Sequence, residues 1–382
     1  MLNMMRIVFW QNCLSPHQLP YIVHLLDDDR VNDVVIVAGC DVEKERRDMG
    51  WEVSDVEGLD RCELHVNPSY DTMVDIMHKD VCNSVHLFSG IRGYSFVFTA
   101  FKNSLSIKNL KRGLITERPN TYAFGHANGK PLWLHWMRYQ ICDKIFFKYI
   151  DWVFAIGDDA VRFFRSLTDK WVVYPFAYCT KDFSVPVNNP DLSLAKCPQI
   201  VFVGSLSWWK SVDTLLISAA MFPKQLHISL IGDGAERKKL EKIVSKNNFS
   251  SEVDFLGVCP LSQISKILVK QDVLVLPSIY DGWGAVVNEA LLQGLYVICS
   301  DRCGAKTLLC DRRIGRVFKA GDAKDLAKLL MFVDDNIDSI RADKARRVEW
   351  SRNYIGGRAI ARYMIDCLFN QEVEEPWKTS NF

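Results

Sequence analysis

Short apolar runs alternate with segments of helical spacing along the whole chain. Runs at 6–10, 33–38, 63–66, 84–88, 114–116, 151–156 and 170–175 have the length and the β-branched content of strands, and stretches between them, such as 19–26 and 158–167, repeat apolar residues at helical spacing. That alternation predicts a mostly parallel sheet with helices on both faces. The rhythm breaks at 181–198, where Pro186, Pro190 and Pro198 stand among polar residues without periodicity, and this stretch reads as a linker. It then restarts at 199–203, 226–231, 253–257, 271–277, 296–300 and 314–322, which predicts a second domain of the same class. Near the end, 350–368 reads as one or two helices, and 372–382 is polar, contains proline and is expected to fray.

Composition adds limits to this picture. A chain of 382 residues buries enough surface for two domains. Its hydrophobic content of 48%, charged content of 24% and net charge of +1 describe a globular protein with no global bias toward nucleic acid. The 12 cysteines fall mostly inside apolar runs, without paired C-x-x-C spacing, and read as small core residues of a reduced, cytoplasmic protein. Residues 1–9 form too short an apolar run for a signal peptide and read as a first strand. No run approaches the roughly 18 apolar residues of a spanning helix.

The chemistry concentrates at 281–301, DGWGAVVNEALLQGLYVICSD. An apolar strand leads into a turn holding Gly282 and Gly284, whose missing side chains let backbone approach a ligand, and a helix opens at the amides of Ala285, Val286 and Val287. Free amides at a helix start suit an anion, most often phosphate. Glu289 lies eight residues after Asp281. An acid there cannot serve the anion and is suited to accept hydrogen bonds from sugar or ribose hydroxyls.

Two acids at this spacing, with G-aromatic-G between them and E-A-x-x-x-G after, resemble the donor-site signature of family 4 glycosyltransferases, retaining enzymes of the GT-B fold. The resemblance implies an α/β protein of two Rossmann-like domains facing each other across a cleft, with a C-terminal helix crossing back to the first. The corresponding ranges are an acceptor domain at 1–183, a linker at 184–198, a nucleotide-sugar domain at 199–349, crossing helices at 350–371 and a tail at 372–382. It assigns the ribose to Glu289 and the donor sugar's hydroxyls to Asp281. The family's first acid is normally Glu, so Asp281 is shorter in reach by roughly 1.5 Å. In 203–216, VGSLSWWKSVDTLL, the family pattern is G-R-x-x-x-x-K-G. Gly204 and Lys210 match it, while Ser205 replaces the Arg and Ser211 the second Gly. The diphosphate then falls to Lys210 and to backbone at Gly204 and Ser205. Gly232 in a Gly-x-Gly turn, Val258 beside the base, and Gly282, Trp283, Gly284, Ala285, Val286 and Val287 complete the implied donor contacts.

For the acceptor, the loop after the first strand offers Ser15, His17 and Gln18, with His17 either a cleft residue or a helix cap. The loop after 114–116 offers Glu117 and Arg118, which either bind acceptor or pair with each other. The catalytic set is Asp281, Glu289, Lys210 and Glu117. Residues 130–149, KPLWLHWMRYQICDKIFFKY, form either an internal helix packed on the sheet or an exposed basic and aromatic face for peripheral membrane contact. The resemblance thus implies transfer of a sugar from a UDP- or GDP-sugar to a hydroxyl of a glycan or lipid-linked glycan, with retention, in bacterial surface polysaccharide assembly. No cofactor, metal or nucleic acid is expected, and the place of work is the cytoplasm or the inner face of its membrane. The alternatives are a non-catalytic sugar-nucleotide-binding subunit and a nucleotide-sugar 2-epimerase on the same architecture.

Overall fold

The computed structural model describes residues 4–43, 56–119, 130–182, 195–246, 251–369, 372–379 and 382. The chain divides into two compact units, and each holds one parallel sheet. The first unit comprises 1–48, 52–179 and 357–375, so the chain leaves it after Cys179 and re-enters it at Gly357.

The first sheet has seven strands: β1 (Met5–Cys13), β2 (Val31–Cys40), β3 (Glu63–Val66), β4 (Ser84–Phe88), β5 (Lys111–Glu117), β6 (Trp152–Ile156) and β7 (Val172–Phe176). Their order is β3-β2-β1-β4-β5-β6-β7, every pairing being parallel. All five residues of β4 are buried, as a strand covered on both faces requires, which is why the central strands read as unbroken apolar runs. His86 lies inside β4 and accepts from Trp10 Nε1 at 3.0 Å. Burial, reinforced by Arg6 and Arg112, pushes its imidazole down to about 3, so it is a neutral core residue.

The helix Gly357–Phe369 returns to this unit and buries Ile360, Tyr363, Met364 and Ile365. It lies so close to the short helix Leu19–Ile22 that a Cβ on Gly357 would stand 2.2 Å from Pro20 O.

Residues 130–149 divide between the two expectations, with Tyr139, Phe146 and Phe147 packed in the core and Trp133 and Trp136 exposed. Leu132–Arg138 is a helix without one buried residue, followed by a π-helical turn at Tyr139–Asp143 and a 3-10 segment at Lys144–Tyr149. Only Tyr139, Asp143, Phe146 and Phe147 of the last two segments turn inward.

The second unit holds β8 (Gln199–Val203), β9 (His227–Ile231), β10 (Glu252–Gly257), β11 (Val273–Leu276), β12 (Tyr296–Ser300) and β13 (Gly315–Phe318). They pair in the order β10-β9-β8-β11-β12-β13, again all parallel. The helix Ala323–Asp335 follows β13, with Asp322 capping it by accepting from the amides of Lys324 and Asp325.

Most of the expected linker, 184–194, lies outside the described residues. The tail does not simply fray: Pro376–Lys378 forms a 3-10 turn with Trp377 only 1% exposed. A single large aromatic supplies enough apolar area to hold a polar segment down.

Candidate functional site

In the second unit the strand order reverses between β8 and β11, where the chain winds away in opposite directions and the loops beyond the strand ends leave a crevice. The loops that follow those two strands carry Lys210 and Asp281.

β8 ends at Gly204, with φ +153°, and leads into a segment anchored by the fully buried Leu206. Trp208–Lys210 then makes one 3-10 turn, and Ser211, at φ +51°, opens the helix Val212–Ala220. Ser211 thus takes the left-handed conformation that a Gly adopts at no steric cost. The hydroxyls of Ser205 and Ser207 bond each other at 3.1 Å, and the Ser205 amide has no acceptor among the described residues.

The neighbouring loop explains the Gly-x-Gly turn. A Cβ on Gly232 would lie 2.0 Å from Gly204 O, and one on Gly234 would lie 2.5 Å from Leu206 O. Backbone rests on backbone here. The amide of Gly232 donates to Gly257 O at 2.7 Å, so Gly232 also serves close packing between these loops. Val258, just beyond β10, is 59% exposed.

β11 leads through Ser278 and Tyr280 to Asp281, whose turn is sewn to the loop after β12. Asp281 N donates to Arg302 O at 3.2 Å, Gly304 N to Asp281 O at 3.1 Å, and Ala305 N to Trp283 O at 2.8 Å. Cys303 Sγ lies 3.0 Å from Trp283 O. Gly284, at φ +89°, has room for no side chain, since a Cβ would meet Cys303 Sγ and Leu276 Cδ2 at 2.8 Å each. Trp283 was an expected ligand contact. Its ring is instead a buried anchor, 3% exposed, with Nε1 donating to Asn288 Oδ1 at 2.8 Å.

The helix beyond spans Val286–Leu292. The Val287 amide is taken by Gly284 O at 2.9 Å, which corrects its expected role, while the amides of Gly284, Ala285 and Val286 have no acceptor among the described residues.

Lys210 Nζ donates to Asp281 Oδ2 at 2.5 Å, with side chains 19% and 13% exposed. Ser278 Oγ stands 3.4 Å from the same oxygen. A half-buried pair of this kind holds both loops in register and keeps a cation and a carboxylate poised side by side. Glu289, in the helix that follows, is partly buried, and no group among the described residues pairs with its carboxylate. Desolvation pushes that carboxyl up to about 7. A desolvated acid without a partner among the described residues, in the first turn of the helix that follows Asp281, suits hydroxyls supplied by a ligand.

Sequence reasoning named the acids and the lysine but missed Asn288, Cys303 and Gly304. The signal for the last two was a pair of small residues in the loop just beyond the buried strand β12.

The first unit also has a switch point, between β1 and β4. Beyond β1, Ser15 Oγ accepts the His17 amide at 3.3 Å, and Gln18, 7% exposed, accepts from Gln11 Nε2. The His17 ring tilts against Tyr178 at 6.4 Å, and His17 O accepts from Cys179 N at 3.3 Å. Glu117 closes β5. Arg118 follows it and reaches Asp159 Oδ2 at 4.0 Å. One cluster with metal-ligand character, His227, Glu252 and Asp254, occurs among the described residues, at the amino ends of β9 and β10 and away from the Lys210 loop.

Residues 190–347 match the family model described as Glycosyl transferases group 1. The 2-deoxystreptamine glucosyltransferase of Streptomyces kanamyceticus is 26% identical over 179 residues, 44% of this chain and 45% of that protein. The lipopolysaccharide core biosynthesis glycosyltransferase LpsE of Rhizobium meliloti is 29% identical over 154 residues, 40% of this chain and 44% of that protein. The matched region spans about half the length of these curated relatives. Among solved structures, Anabaena Alr3699/HepE in complex with UDP aligns over 96% of this chain and 100% of its own, with TM-score 0.67 and 14% identity. Lipopolysaccharide outer core galactosyltransferase WaaB aligns over 96% and 100%, with TM-score 0.64 and 14% identity. These likenesses are of fold: the chain has the GT-B fold, two Rossmann-like domains in one polypeptide.

Proposed function

We propose that this chain, whose residues 190–347 form a glycosyl transferases group 1 domain, is a retaining transferase that moves a sugar from a UDP- or GDP-sugar to a hydroxyl of a glycan or lipid-linked glycan. The observation that carries this reading is the Lys210–Asp281 pair at the β8/β11 switch point, with the unpaired, desolvated Glu289 in the helix that follows. Lys210 meets the charge that grows on the departing diphosphate, helped by the open amides at Ser205, Gly284, Ala285 and Val286. Ionised Glu289 accepts the ribose hydroxyls, and Asp281 those of the transferred sugar. The acceptor hydroxyl attacks from the leaving-group side and passes its proton to a donor phosphate oxygen. No metal or cofactor has a part in this scheme.

The first unit's switch-point residues, Ser15, His17, Gln18, Glu117 and Arg118, are assigned to the acceptor. Surface polysaccharide assembly on the cytoplasmic side of a bacterial membrane is the setting this reading favours, and the name of the Rhizobium relative supports it. No helix among the described residues is long and apolar enough to cross a membrane.

The test is a panel of UDP-, GDP-, ADP- and CMP-sugars, assayed first for binding and then for nucleotide release on adding a glycan acceptor. A donor that binds and releases nucleoside diphosphate only with acceptor supports the transferase. Binding without release would make the protein a sugar-nucleotide carrier, and isomerisation without acceptor would make it an epimerase.

A further inference from the structure

The helix Leu132–Arg138 and the turns after it present a face that is exposed among the described residues. Trp133 is 60% exposed, Ile141 69% and Ile145 65%, and Leu134, Trp136 and Met137 are each at least 37% exposed. Large apolar side chains gathered this densely at a protein surface mark a contact with something else. The face is held rather than frayed. Trp136 Nε1 donates to Ser166 O at 3.2 Å, Gln140 Nε2 to Leu167 O at 2.7 Å, and Tyr139, Phe146 and Phe147 plug into the core beneath.

Charge decides between occupants. Lys130, Arg138, Lys144 and Lys148 are exposed around the apolar side chains. The one acid in 130–149, Asp143, is fully buried and ion-paired to Arg92 and, at 3.7 Å, to Arg138. The surface of this segment therefore carries cations and no anion. A partner protein's apolar patch would not call for a one-signed rim, whereas a layer of anionic headgroups over acyl chains matches both parts. The exposed rings of Trp133 and Trp136 suit the headgroup depth of a bilayer.

We propose that residues 133–148 dock the protein onto an anionic lipid surface, with Trp133, Ile141 and Ile145 entering the interface and Lys144 and Lys148 meeting headgroups. The proposal stands on exposure and charge and does not depend on the transferase reading.

The experiment is co-sedimentation of the full chain with vesicles of phosphatidylcholine alone and of phosphatidylcholine mixed with phosphatidylglycerol. The parent protein is compared with W133S/I141S/I145S and K144E/K148E, all exposed positions whose folding is checked by thermal melting. Binding is expected to the mixed vesicles, to weaken with salt, and to fall at least tenfold in both variants. Absence of binding by the parent, unaltered binding by the triple variant, or equal and salt-insensitive binding to phosphatidylcholine would each overturn it. So would light scattering that shows a dimer abolished by W133S/I141S/I145S, since the face would then meet a second copy. Donor affinity, measured in parallel, should be the same in all three proteins; a parent that binds vesicles but no sugar nucleotide would count against the function proposed above and leave this proposal standing.

Discussion

Lys210 Nζ and Asp281 Oδ2, 71 residues apart in sequence, lie 2.5 Å apart and join the loops that follow β8 and β11. The Asp281 carboxylate therefore competes with any arriving diphosphate for the Lys210 ammonium. Removing the carboxylate frees the lysine, and removing the lysine strands the carboxylate. Asp281→Asn should therefore hold or tighten affinity for the nucleoside diphosphate alone while sugar transfer falls. Lys210→Ala should weaken diphosphate affinity about tenfold or more, the scale of one charge-assisted hydrogen bond. Calorimetric titration of both variants checks this, and equal losses in the two would refute it.

Glu289 gives the site a pH signature. Its carboxyl titrates near 4.5 when free and about 7 in the fold, because burial disfavours the charge. Below pH 4.5 it is neutral in both states and costs nothing. Between 4.5 and 7 the unfolded chain ionises first, so this group's contribution to stability is lost as pH rises, and above 7 the loss is complete. Donor affinity should run the other way, rising as the carboxylate forms near pH 7 to accept ribose hydroxyls. In Glu289→Gln both dependences should vanish. Urea melts and donor titrations at pH 5 and pH 8 measure them.

Gly304 tests the stitching of the donor turn. Its φ is ordinary, yet a Cβ there would sit 2.1 Å from Gly282 O. Gly304→Ala should cost about 3 kcal/mol, the upper part of the range for overpacking, and should weaken donor binding. Gly257→Ala is the contrast, since φ is +71° but nothing lies within 4 Å. It should cost about 1 kcal/mol from backbone strain alone and leave binding intact. Thermal melts with and without donor separate the two effects.

A chelator probes how the leaving group is stabilised. If Lys210 and the open amides carry the diphosphate's charge, transfer should continue at an unchanged rate in excess EDTA. Loss of activity restored by magnesium or manganese would show that a metal shares the task.

The central strands of both sheets were legible because parallel strands covered on both faces read as apolar runs, β4 and β11 being examples. Asp281, Glu289 and Lys210 were legible as residue types at fixed spacing. Their mutual placement was not, because it depends on which strands become neighbours, and nothing local in VFVGS or VLVLP states that β8 pairs with β11. The turn at Gly232 and Gly234 was ambiguous for a related reason: close backbone packing and phosphate binding ask for the same small residues. The face at 133–145 was ambiguous because spacing shows which side chains lie together but not whether another element covers them. Trp377 was lost in a polar tail that a single buried ring holds down.

After leaving at Cys179 the polypeptide returns to the first unit, and the returning helix, Gly357–Phe369, seals the apolar side of Leu19–Ile22. A premature stop near codon 357 would spare Lys210, Asp281 and Glu289 and still leave the amino-terminal half with a raw hydrophobic wound. A separately expressed piece ending at Cys179 should accumulate in inclusion bodies unless a peptide carrying 357–375 is supplied to it in trans.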